Sequence, residues 1–88
     1  MTRITRTELL RILSIDEEFL LLMEREYIVC PDPQDTFASE EIDRLRVCWT
    51  LHAELGVNVA GIEVALNLLD RLEEERRRAH DRLRGRDA

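Results

Sequence analysis

Nucleophilic, acid–base or metal chemistry in this sequence would fall to His52 and His80, Cys30 and Cys48, Ser14 and Ser39, and two acidic clusters, Asp16-Glu17-Glu18 and Asp32/Asp35. An activated serine or cysteine needs a base within hydrogen-bond reach and a third group to orient it. Ser14 and Ser39 stand at helix-capping positions and neither has a histidine close by in sequence. His52 falls on the inner stripe of a helix, where it packs or faces a partner; His80 belongs to a charged tail. Cys30 and Cys48 are 18 residues apart with no CxxC or histidine cluster. A zinc site is therefore not expected, and both thiols read as reduced packing residues. Gly56, Gly61 and Gly85 lack the spacing and following lysine of a phosphate loop, and neither acidic cluster has the spaced ligands and tight-turn glycine of a calcium loop. The expectation is a protein that is not an enzyme and carries neither metal nor cofactor.

The chemistry that remains is that of association. There are 19 acidic residues against 13 basic ones, every basic residue is arginine, and the net charge is −6. Affinity for a DNA duplex comes largely from neutralised phosphates, so this balance opposes nucleic acid. It favours a basic partner surface, because charge complementarity speeds encounter and excludes wrong partners.

These residues are positioned by helices. The chain has 88 residues, 44% hydrophobic and 36% charged, with three glycines and two prolines. That is the composition of one ordinary globular domain, neither disordered nor disulfide-built. The longest apolar run, Phe19 to Met23, is far short of the roughly 18–20 residues that cross a bilayer. No apolar leader precedes the first helix, so a cytoplasmic location is expected. Thr5 with Glu8 forms a capping-box pattern, with Ile4 and Leu9 spaced as a hydrophobic staple. Ser14 with Glu17 repeats it, predicting a second helix over 15–26 with Phe19, Leu22 and Met23 inward and Leu20 and Leu21 exposed. Two short capped helices joined so closely form a helix-turn-helix pair.

Residues 27–29 are a β-prone run, and Pro31 and Pro33 exclude helix from the loop that follows. A small wing is expected from 27–29 pairing with 36–37. Ser39 is a good N-cap for a third helix carrying Ile42, Leu45, Trp49 and His52, and Gly56 is a natural left-handed stop. Asn58 then caps a last helix running to about Arg84, whose Glu73, Glu74, Arg77 and Arg78 pair at i,i+4. Ile62, Ala65, Leu69, Leu72, Arg76, Ala79 and Leu83 follow a 3-4 alternation over residues 62–83, open to two readings: a homodimer seam or a solvated tail. A globular part over 1–72 and a charged helical tail over 73–88 are expected.

Two short helices, a wing-sized loop, and a helix ending at Leu55-Gly56-Val57-Asn58 and restarting at Val59-Ala60-Gly61-Ile62 resemble the head of MerR-type proteins over residues 4–72. Within that superfamily the run from Leu55 to Asp70 is similar to the CbpM family of chaperone modulators, although heat-shock repressors of the HspR type carry a related Gly-Val-Asn-x-Ala-Gly-Ile segment. The fold implied is all-α: a MerR-like winged helix-turn-helix head with a long C-terminal helix. The implied partner is the J-domain of a DnaJ-like co-chaperone of the CbpA type. An acidic modulator covering the basic helix of that domain would block its stimulation of a DnaK-type chaperone.

The chain departs from the DNA-binding pattern of MerR-type heads. Its second helix opens Asp16-Glu17-Glu18, and its wing carries Asp32 and Asp35 with no arginine or lysine. Carboxylates facing phosphates cost affinity at each contact. The candidate partner surface is Asp16, Glu17, Glu18, Asp32 and Asp35 as an acidic rim, with Leu20 and Leu21 as its apolar centre. Arg3, Arg6 and Arg11 form either a small basic patch or solvated surface. Two other functions stay open: a small MerR- or HspR-like regulator binding operator DNA as a dimer, and a scaffold meeting an unrelated basic protein.

Overall fold

A computed structural model describes residues 2–86. In chain order the elements are β1 (Arg3–Thr5), α1 (Arg6–Leu13), α2 (Glu17–Arg25), β2 (Thr36–Ala38), α3 (Ser39–Ala53) and α4 (Val59–Arg86). They fall into two compact units, the first extending to Asn58 and the second beginning at Val59. The long last helix expected from sequence is present, and residues on either side of position 72 lie within it without a break.

Thr5 caps α1 as its pattern predicts. The Glu8 backbone N–H donates to Thr5 Oγ1 at 3.3 Å, and the Thr5 hydroxyl donates to Glu8 Oε1 at 3.2 Å. Ser14 does not cap α2. It ends α1 instead, at φ 53° in the left-handed region, and α2 starts two residues beyond the predicted position, after Asp16. The break between the two helices is thus longer than expected, running from Ser14 to Asp16, and Ile15 within it is buried.

The strand pairing differs from the expected wing. Tyr27 to Val29 do not pair with β2. Ile28 and Val29 instead donate their N–H groups to the Met23 carbonyl at 2.9 and 3.4 Å, and Tyr27 sits at φ 59°. That turn closes α2 and occupies the backbone donors a strand would need. β2 pairs antiparallel with β1, in the register Arg3↔Ala38, Ile4↔Phe37 and Thr5↔Thr36. The loop entering β2 is held by Asp32, whose carboxylate accepts from the N–H groups of Gln34 and Thr36 at 3.0 and 2.9 Å and from the Thr36 hydroxyl at 2.8 Å. This is the side-chain-to-backbone closure that aspartate favours in turns.

The core of the first unit is formed by Leu9 of α1, Phe19, Leu20 and Met23 of α2, Val29, Phe37 of β2, and Leu45 and Cys48 of α3. Burial pushes the Cys48 thiol up to about 11, as for a packing residue. Cys30, expected to pack as well, is exposed because it lies in the proline loop rather than on a helix. α3 begins at Ser39 itself, with Ala38 at the N-cap position and no capping side chain. It ends as predicted: Gly56 adopts φ +66°, and the N–H groups of Gly56 and Val57 return to the carbonyls of His52 and Leu51 at 3.1 and 2.9 Å.

The second unit is α4, about 42 Å long at 1.5 Å per residue. Ile62 and Leu66 are buried, while Val64, Leu68, Leu69, Leu72 and Leu83 are each substantially exposed. The expected Glu74–Arg78 pair is formed at 2.7 Å.

Candidate functional site

α2 offers an acidic surface with one apolar centre. Asp16 is the N-cap residue but makes no side-chain capping bond, and Glu17 and Glu18 occupy the first turn. All three are exposed. Carboxylates here are favoured by the positive end of the helix dipole, which lets three of them share one turn. Leu21 follows Glu17 by one helical turn and is 49% exposed, with Arg25 a further turn along the same face. Glu17, Glu18 and Leu21 therefore lie together on the exposed side of α2.

Leu20 does not join them. It is fully buried, and Leu22, placed inward from sequence, is only half-buried. Glu24 shares the face of Leu20, and its carboxylate receives the Arg6 guanidinium at 2.6 Å. Phe19, Leu20 and Met23 form the buried apolar face of α2, which leaves Leu21 at the surface.

Asp32 and Asp35 are present at the loop but are committed to internal partners. Asp32 pairs with Arg3 at 2.9 Å, and Asp35 with Arg6 at 2.8 Å. The Arg6 hydrogen bond holds the Asp35 carboxyl below its usual range. For Asp32 the bonds from Thr36 do most of the same work, with the Arg3 charge adding to them. Arg6 in turn is held more firmly protonated by Asp35 and Glu24. Its guanidinium also lies 5.6 Å from the centre of the Phe37 ring, in cation–π range. Two of the three arginines of the expected basic patch are thereby neutralised, and Arg11 is left exposed.

Arg6 is the residue that sequence reasoning undervalued. It ties α1 to α2 and to the loop before β2, across 18 and 29 residues of chain. Its only sequence signal is a basic residue in a chain rich in acid, and that does not select partners. His52 is exposed and stacks on Phe19 at 4.9 Å, with Trp49 edge-on to the same ring at 5.1 Å. It closes the end of the core rather than facing a nucleophile. Among the described residues no group of three or more His, Cys, Asp or Glu side chains could hold a metal ion. No described helix is long and apolar enough to cross a membrane.

A helix-turn-helix pair backed by a two-stranded sheet, with α3 and α4 following, is matched by a known family. The model of the MerR HTH family of regulatory proteins aligns with residues 4–84. No curated protein and no solved structure shows significant similarity to the chain. The family match spans nearly the whole sequence, and the chain belongs to the MerR helix-turn-helix family of regulatory proteins.

Proposed function

We propose that this chain is a chaperone modulator that binds the J-domain of a DnaJ/CbpA-type co-chaperone and prevents it from stimulating a DnaK-type chaperone. The reading rests on the resemblance of residues 55–70 to the CbpM family, which lies within the MerR-like superfamily. The observation that carries it is the second helix of the helix-turn-helix pair. It opens on three exposed carboxylates beside a half-exposed leucine, while Arg3 and Arg6 are spent on ion pairs within the chain. Such a surface suits a basic helix of a partner protein and repels phosphate. Inhibition would be competitive, by covering the surface the chaperone needs. Asp16, Glu17, Glu18 and Leu21 form the proposed contact; Leu20 supports them from the core, and Asp32 and Asp35 hold the loop in place.

Calorimetry of the full chain with a J-domain, at low and high salt, tests this. Saturable binding that weakens with salt and with Glu17→Lys/Glu18→Lys is the expected result. Absence of binding at high micromolar concentration would overturn it.

A second reading, a dimeric regulator of MerR or HspR type acting on operator DNA, is favoured by the family match itself. Sequence-selective, salt-sensitive binding to duplex DNA would establish it in place of the first.

A further inference from the structure

Phe19 is buried on α2, but the two rings that touch it from α3 reach solvent. His52 is exposed and stacks on Phe19 with 28° between the planes. Trp49 is half-buried, edge-on to Phe19, and its ring centre lies 6.1 Å from that of His52. Phe19 covers one face of the imidazole, so the other face and the open part of the indole form a small aromatic ledge. Helical geometry continues this ledge onto α2. At about 100° per residue, Leu22 lies about 60° round the helix from Phe19, and Glu18 about 40° beyond Leu22. Leu22 is half-buried and Glu18 exposed, so the surface passes from rings, over a leucine, to a carboxylate. Glu17 stands about 160° from Phe19 and faces away from the rings.

We propose that this ledge seats an arginine side chain from a basic helix of the partner, its guanidinium stacked on His52 and Trp49 and its charge facing Glu18. The seat presupposes the reading of the chain as a binder of such a helix and names the side chain that is recognised. Aromatic faces attract cations, and a planar guanidinium stacks on them as a compact ammonium does not. His52 occupies the last turn of α3, where the negative end of the helix dipole favours positive charge. The exposed carboxylates of Asp16, Glu17 and Glu18 on the adjoining helix draw the same charge in. The cations Arg25 and Arg46 stand at the margins of the surface. Arg25 is about two turns beyond Glu18 on α2, and Arg46 lies 3.9 Å from Asp43 on α3.

Trp49 is the one tryptophan of the chain, so its emission reports on this spot alone. Two helical peptides without tryptophan or tyrosine, identical except that one carries arginine where the other carries lysine, are titrated into the full chain at low salt. The arginine peptide is expected to change Trp49 emission saturably and to bind about threefold tighter, or more, than the lysine peptide. That comparison needs no variant. His52→Ala should weaken the arginine peptide about two- to fivefold and remove most of its advantage over lysine. Glu18→Gln should weaken both peptides more than Glu17→Gln does, and circular dichroism verifies that each variant is folded. Equal binding of the two peptides overturns the proposal, as does no binding of either. So does an emission change given by duplex DNA and not by the arginine peptide. A J-domain separates this seat from the function it presupposes. Binding seen by calorimetry while Trp49 emission stays fixed removes the seat and keeps the modulator reading. No J-domain binding beside a preferred arginine peptide removes the modulator reading and keeps the seat.

Discussion

Leu20 is fully buried while Leu21 is 49% exposed, although the two are adjacent and chemically identical. Truncating each should separate folding from binding. Leu20→Ala removes a core side chain and should cost about 2–5 kcal/mol of unfolding free energy. Leu21→Ala should stay within about 0.5 kcal/mol of the parent, as surface changes do, yet weaken partner binding. Urea unfolding and calorimetry on the same two proteins check both halves. Equal stability losses would remove Leu21 from the proposed contact.

The ion pairs of Arg3 and Arg6 make a second prediction at the same scale. Asp32 and Asp35 both have their pKa lowered by folding, Asp32 by the Thr36 bonds and Asp35 by Arg6. A carboxylate whose folded pKa is depressed contributes stability above its unfolded value, which is lost as pH falls toward and through the folded one. The thermal midpoint should accordingly be flat near neutrality and drop below about pH 4. Asp35→Asn should flatten part of that drop. An acid profile that the substitution leaves unchanged would mean the Arg6 pair contributes nothing to stability.

At the scale of elements, the breaks between helices are as informative as the helices. Gly56 holds φ +66° with nothing within 4 Å of where a Cβ would stand. Gly56→Ala meets only backbone strain, so it should destabilise by about 1–2 kcal/mol without disturbing packing, measurable by chemical denaturation. Ser14 plays the same part between α1 and α2 at φ 53° despite its side chain. That explains why a capping-box spacing at Ser14 and Glu17 misplaced the start of α2. Its hydroxyl lies at the end of one helix, not at the start of the next. Gly56 was legible because only glycine occupies that conformation without penalty. Ser14 was not, since serine is common at both kinds of helix end.

The acidic turn of α2 belongs to this scale too. Glu17→Lys/Glu18→Lys removes two carboxylates from the positive end of the helix dipole and should lower stability by about 0.3–1 kcal/mol for each. Its effect on partner affinity should be larger, tenfold or more, with most of the change in the salt dependence. A loss of affinity no greater than the loss of stability would point to a capping role alone.

Over the whole molecule, the net charge of −6 describes a surface whose local pattern the sum conceals. Arg3 and Arg6 offset two of the three charges of Asp32, Asp35 and Glu24 at one place, whereas Asp16, Glu17 and Glu18 are exposed at another. The same total is consistent with very different faces, and only the pairing distinguishes them. Partner selectivity should therefore follow the α2 face rather than overall charge. Neutralising Asp32 or Asp35 should change affinity much less than neutralising Glu17 or Glu18, a comparison that calorimetry makes directly. Equal losses would show that the loop carboxylates also touch the partner.

The amino-acid sequence by itself determined what depends on neighbours a few residues apart: the Thr5 cap, the helix-turn-helix pair, the Gly56 stop, the long α4 with its Glu74–Arg78 pair, and the exposure of the acidic turn at Asp16–Glu18. Hydrogen bonds and side-chain periodicity within one helix fix these, so spacing suffices to read them. Only the tertiary structure decided that β2 pairs with β1 instead of residues 27–29, that Arg6 spans to Glu24 and Asp35, and that Leu20 rather than Leu21 enters the core. The strand pairing and the Arg6 ion pairs depend on segments 18 to 35 residues apart meeting at one place. A chain with 19 acidic side chains offers an arginine many partners of equal chemistry, and nothing but the folded geometry chooses among them.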